Sequence, residues 1–232
     1  MKGIKAVPDT SQTARFPQSD RDALYRVIYA RRDVRSGFLH HAIPPSVLRR
    51  VLDAAHHSGS VGFMQPWNFL VVTDIELRRR VHAIFDQENE RAAANFSGER
   101  RLQYDRLKLE GILDCGANIC VTCDRERHGP SVLGRNTMRD TDLYSTCCAI
   151  QNLWLAARAE GLGVGWVSIL DPSAVKLALG IPTNLDLVAY LCIGFVDEFA
   201  LAPDLERAGW QRRLALDEVA FQEQWGQPLP KE

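Results

Sequence analysis

The chain has 232 residues, 46% of them hydrophobic and 25% charged, which is length and apolar content enough for one large domain with a sizeable core. Its 28 Lys and Arg nearly balance its 29 Asp and Glu, and a formal net charge of -1 gives no field that would gather nucleic acid or an anionic membrane surface. The first residues carry no apolar core of signal-peptide length, and no apolar run reaches the roughly 20 residues of a membrane span, so a cytoplasmic chain with reduced cysteines is expected.

Residues 1–18 are polar, contain Pro8 and Pro17, and read as a mobile arm. Ser19 or Asp20 is placed to cap a first helix with Leu24, Val27 and Ile28 as its apolar stripe. It ends at Arg31-Arg32-Asp33-Val34-Arg35, where three guanidiniums in five residues offer planar forks of donors suited to phosphate or carboxylate. A solvated helix end, where cations favour the C-terminal dipole, explains the same cluster without a ligand. Pro44-Pro45 opens a second helix with Val47, Leu48, Val51, Leu52 and Ala55 on one face. The stretch from Ser58 to Asn68 is too irregular for a helix and too rich in glycine and small polar residues for a strand, and Trp67 within it suits a core.

Phe69–Thr73 reads as a short buried strand, followed by a helix to about residue 94 with Leu77, Val81, Ile84 and Phe85. Residues 95–110 are strongly charged, break at Ser97-Gly98 and resume a helical pattern, as an excursion or lid would. Ile119–Cys123 is a second strand. In it Cys120 and Cys123 point to opposite faces, which together with the missing partner ligands argues against zinc. After a polar loop at 124–140, a long helix runs from about Asp142 to Glu160 with Leu143, Ile150, Leu153, Trp154 and Ala157 buried, and Cys147 and Cys148 read as packing residues. Gly161 ends it. The run Gly161-Leu-Gly-Val-Gly-Trp-Val-Ser-Ile169 has glycines in dinucleotide-fingerprint style, but a helix precedes it and a strand follows, the reverse of the order that fingerprint needs. Asp171-Pro172 starts a short helix ending at Gly180, and Leu185–Phe195, nearly all apolar, reads as a central strand covered on both faces. The tail from about 197 to 232 holds Trp210, Arg212, Arg213, Phe221 and Trp225 and is expected to wrap another part of the fold or a second subunit. Helices alternating with buried strands imply an α+β domain with α/β-type layers, single from about residue 19 onward.

Taken together and in order, Arg31-Arg32-x-x-Arg35, Gln65-Pro66-Trp67-Asn68-Phe69, the helix over 142–160 and Gly161-x-Gly-x-Gly-Trp resemble the flavin-dependent nitroreductase superfamily. Within it the chain is most similar to the branch of 5,6-dimethylbenzimidazole synthases, through Phe96-Ser-Gly-Glu-Arg100, Leu107-Lys-Leu-Glu-Gly111, Asp142-Leu-Tyr-Ser-Thr146 and Gln151 to Ser168 as well. Ordinary nitroreductases usually have serine where this chain has Asp33; Gly59 departs from a proline common in the family.

The resemblance implies a mixed sheet flanked by helices and an intertwined homodimer holding FMN between its subunits. It implies that Arg31, Arg32, Val34, Arg35 and the tail residue Arg213 bind the phosphate and ribityl end. Gly59, Ser60, Gln65, Asn68, Gly165, Trp166 and Ser168 would lie along the flavin ring, with Lys108 in a lid over about 95–112. It implies no metal. Reduced FMN would be consumed as substrate with dioxygen as co-substrate, Asp33 acting as acid/base and Ser168 as a hydrogen-bonding group, with a separate flavin reductase supplying reduced FMN. Two alternatives stand beside this: an NAD(P)H-dependent nitroreductase or quinone reductase on the same scaffold, and a flavin-binding protein with no turnover.

Overall fold

A computed structural model describes residues 15–230, so most of the expected N-terminal arm lies outside the described residues. Helix α1 spans Gln18–Ala30 and α2 Pro45–His56. Strand β1 (Trp67–Val72) leads into α3 (Ile75–Ala93) and the shorter α4 (Gly98–Asp105). Strand β2 (Ala117–Cys123), α5 (Thr141–Ala159) and β3 (Leu162–Val167) follow. Then come α6 (Pro172–Leu179), β4 (Asp186–Phe195) and α7 (Asp204–Arg207).

The strands form one sheet in the order β1-β2-β4-β3, with every pairing among them antiparallel. The expected mixed sheet is thus nearly all antiparallel. Among the described residues its parallel component is one isolated bridge, Asp33 to Val164, against the free edge of β3. The long apolar strand β4 sits inside the sheet as expected. Because side chains alternate across a strand, Ala189, Leu191 and Ile193 enter a core with α2 and α5, while Tyr190 and Cys192 enter a second core with α3 and α6. Ile119 and Val121 of β2 likewise face the first core and Cys120 the second. Burial pushes the Cys120 thiol up to about 12.

Local signals fix the helix ends. The Asp74 carboxylate accepts the backbone N–H groups of Glu76 and Leu77, both at 2.9 Å, at the start of α3. Asp171 accepts Ala174 N–H at 2.8 Å before Pro172, and Gly180 closes α6 in the left-handed region. Some expectations need correction. Helix α1 begins after Pro17 with no side-chain cap, so Ser19 and Asp20 lie in its first turn. No residue of α1 is buried, and Leu24 and Ile28 are exposed, because only one side of the helix meets this chain's own α5. Cys147 and Cys148 are also exposed, on the side of α5 turned away from the sheet, and Leu143 is half-buried. The tail divides. Trp210 packs on the α4 segment, whereas Leu214, Leu216, Val219 and Trp225 are exposed.

Candidate flavin site

The arginine segment is held by its backbone. Val34 N–H donates to Val164 O at 3.0 Å, the Trp154 indole N–H donates to Arg32 O at 3.1 Å, and Arg158 Nε donates to Ala30 O at 3.2 Å. This close crossing of β3 explains two of the glycines in the Gly-x-Gly-x-Gly run. A Cβ on Gly165 would stand 2.1 Å from Val34 O, and one on Gly163 would stand 3.1 Å from the Val34 side chain. Those glycines let the segment lie on the strand.

With the backbone tied, the Val34 side chain enters the core with α3 and α6, and the half-buried arginine side chains face the cavities beside it. Arg31, Arg32 and Arg213 line a cavity of about 530 Å³, together with Tyr29, Gln151 and Glu206. The Arg31 guanidinium lies 4.8 Å from the Trp154 ring centroid. Burial lowers the pKa of Arg31; Asp33 counters this, while Arg32 and Arg213 add to it. Three cations crowd one space, and an anion between them would relieve their repulsion. Arg32 and Arg35 each keep a buried Nε with no hydrogen-bond partner. The open Nε of Arg32, which lines this cavity, fits a phosphate-bearing ligand such as FMN.

Asp33 lies in a separate, smaller cavity of about 230 Å³, with Arg35, Asp197, Asp204 and Arg207; Arg32 lines both cavities. Its Oδ1 accepts Trp166 N–H at 3.0 Å and its Oδ2 pairs with Arg35. Burial raises the Asp33 pKa above the ordinary carboxylate value, and Asp204 adds to the rise. Arg35, the Trp166 N–H and Arg31 pull the other way. The result is a carboxyl fixed in orientation yet easier to protonate than usual, as an acid/base needs. Ser168 stands exposed just past the end of β3.

The loop before β1 is built differently. Ser60 Oγ accepts Gln65 N–H at 3.1 Å, and Phe63 and Gln65 both hold positive φ. Arg127 donates to Gln65 O at 2.6 Å and to Trp67 O at 3.0 Å, and also reaches Asn68 Oδ1. The Asn68 amide donates to Thr122 Oγ1 at 3.1 Å. Gly59 is exposed with open space around its Cα. Lys108 is bound up with Glu110 at 2.8 Å and Asp114 at 3.1 Å. Burial pulls its pKa down, but these carboxylates outweigh that and hold it above the usual value.

Apart from Lys108, the predicted residues therefore fall into two groups. Arg31 to Arg35, Gly165, Trp166, Ser168 and Arg213 gather at the β3 edge. Gly59, Ser60, Gln65 and Asn68 gather at the β1 edge, with β2 and β4 between, about 14 Å away at ordinary strand spacing. Helix α5 gives the same scale. It receives the arginine segment at Trp154 and the loop at Ser145, whose Oγ accepts Val61 N–H, and these residues are roughly 13 Å apart along the axis. Sequence reasoning missed Trp154 and Arg127 as site builders. The first carried only a core signal, and the second had none, since both act through partners far away in the chain.

The nitroreductase family pattern matches residues 28–195, more than half the chain and all four strands. The chain belongs to the nitroreductase family. Two 5,6-dimethylbenzimidazole synthases are similar within it. The one from Rhodospirillum rubrum is 44% identical over 85% of this chain and 93% of its own length, and one from Rhodobacter capsulatus is 41% identical over 86% and 96%. The branch indicated by the sequence motifs is thus borne out, and this nitroreductase-family chain is an enzyme. Among solved structures, an iodotyrosine deiodinase bound to FMN and 3-iodo-L-tyrosine shares the fold with a TM-score of 0.64 at 23% identity, over 76% of this chain and 91% of that one. A nitroreductase in complex with FMN from Exiguobacterium sibiricum gives 0.62 at 17%, over 85% and 95%. Among the described residues, no helix is long and apolar enough to cross a membrane.

Proposed function

We propose that this enzyme converts reduced FMN and dioxygen to 5,6-dimethylbenzimidazole, the lower ligand of cobalamin, and erythrose 4-phosphate. The observation that carries the reading is Asp33. A partly buried carboxyl with a raised pKa is fixed by Trp166 N–H and Arg35, in a cavity that shares Arg32 with the one lined by three arginines. A reductase that only passes electrons has no need of a carbon acid/base there.

Bound reduced FMN supplies the ring system that is broken, and dioxygen is the oxidant. Arg31, Arg32 and Arg213 hold the phosphate, each charge-assisted bond contributing about 1.5–3 kcal/mol. Arg35 orients Asp33, which takes a proton from the carbon at the ribityl–ring junction. Ser168 offers a hydroxyl to the flavin edge. Residues 95–112 serve as a lid that excludes water. Two subunits build each site. The loop with Gly59, Ser60 and Gln65 comes from one chain and the arginine segment from the other, in keeping with their separation within a single chain and with the exposed apolar face of α1. A separate flavin reductase supplies the reduced substrate.

The test is a mass balance. Purified protein receives chemically reduced FMN, air is admitted, and dimethylbenzimidazole and remaining FMN are quantified by chromatography and mass spectrometry. The reading predicts one product formed for each FMN lost. Full recovery of oxidised FMN, with NADPH consumed when a nitroaromatic is added, would replace it with the reductase reading.

A further inference from the structure

We propose that Trp210 is a positioning residue that ties the phosphate cavity to α4, so that Arg213 and α4 take their places together; this rests on reading the cavity as a phosphate site. Residues 203–213 have little structure of their own. Helix α7 is a single turn with no buried residue, yet Pro203, Glu206 and Arg213 supply one wall of the cavity that Arg31 and Arg32 face. What holds this wall is Trp210. Its N–H donates to Leu205 O at 2.8 Å, folding the chain back over α7, and Arg213 N–H donates to the Glu206 carboxylate at 3.4 Å.

The Trp210 ring is gripped by the α4 segment from several sides. It meets Phe96 edge-on at 5.4 Å and Tyr104 at 6.2 Å, and the Arg100 guanidinium lies 3.4 Å from its centroid. Arg100 also donates to Trp210 O at 3.1 Å, and the Gln103 amide donates to Ala208 O at 3.0 Å. On its far side α4 is anchored to α3, through the Tyr104 hydroxyl to Asn89 at 2.7 Å and Arg101 to Ala93 O at 3.1 Å. Trp210 is therefore the joint between a cavity wall and a charged excursion. A phosphate that draws Arg213 inward pulls on the same short segment that Arg100, Phe96 and Tyr104 clasp. Packing of the tail alone would make Trp210 matter for stability and leave phosphate preference untouched.

The experiment compares FMN with riboflavin, which lacks the phosphate, by quenching of flavin fluorescence. The proteins are the wild type, Trp210→Ala, Trp210→Phe, Arg100→Ala, Arg213→Ala and the double variant Trp210→Ala/Arg213→Ala. Loss of one charge-assisted bond in Arg213→Ala is expected to cut the preference for FMN about tenfold or more. Trp210→Ala is expected to cut it by a similar factor and the double variant no further, because coupled residues are not additive. Trp210→Phe should keep most of the preference, and riboflavin affinity should stay level throughout. Arg100→Ala, on an exposed side chain, should lower the preference about threefold, the size of an exposed cation–π contact, which keeps the test decisive if Trp210→Ala does not fold. FMN, and not riboflavin, should slow proteolysis within α4 in the wild type, and that protection should vanish in Trp210→Ala. A wild-type preference that survives Trp210→Ala and Arg100→Ala overturns the inference alone. A wild type with no preference overturns the phosphate reading and the inference with it.

Discussion

At the β3 edge the backbone is tied down, Asp33 is held by Trp166 N–H and Arg35, and two guanidinium Nε atoms are left open. Arg32 O, Val34 N–H and Ala30 O all have partners, while Arg32 and Arg35 each keep an unanswered Nε. At the β1 edge the side chains are consumed instead. Ser60 Oγ takes Gln65 N–H, and the Asn68 amide is shared between Arg127 and Thr122. In the proposed site a polar residue either serves the ligand or shapes the loop that meets it, and on that reading the two edges divide those tasks.

The contrast predicts different symptoms from the two sides. The largest effect on stability is expected at the β1 edge, where Arg127→Ala strands two backbone carbonyls and the Asn68 oxygen and should cost about 3 kcal/mol in urea denaturation. A loss of flavin affinity with no loss of stability would break the comparison there. Next, Gly165→Ala drives a methyl into Val34 O and should cost about 2 kcal/mol while weakening FMN binding, because the arginine segment must lift from β3. Arg31→Ala should weaken FMN binding about tenfold and leave the urea midpoint nearly unchanged, since its guanidinium makes no hydrogen bond within the described residues.

The smallest effect is a shift in pH dependence. Asp33 titrates above its unfolded value, so its protonation favours the folded state. That contribution is full below the unfolded pKa and fades as pH rises through the folded one. A base must be ionised, so activity should fall as pH drops through the same folded value. Arg35 pulls the Asp33 pKa down, and Arg35→Gln should therefore move the acid limb of the rate profile to higher pH. A limb that stays put would detach Asp33 from the rate.

What the sequence made legible was local. The apolar run of β4, the Asp171-Pro172 to Gly180 helix and the arginine segment each carry their signal within a dozen residues, and each stands where expected. The three cavity arginines were also legible, though Arg213 only through resemblance. Residues acting across the fold left no such trace. Trp154 looks like any core aromatic until Arg31 lies over it, and Arg127 is one charge in a polar loop until it closes on residues some sixty positions earlier. The glycines of β3 could be counted but not explained, because Val34 had to be placed against them first. Helix α1 misled for the opposite reason: an amphipathic pattern shows that a face seeks cover, not that the same chain provides it.

One measurement tests the central claim most directly. Wild type and Asp33→Asn are each mixed with reduced FMN, exposed to air, and assayed for dimethylbenzimidazole, with FMN binding measured alongside. The account predicts product from the wild type, a fall of about 10²–10⁴-fold in the variant, and FMN affinity changed only slightly. Equal product from both proteins, or none from either with FMN recovered intact, would contradict it.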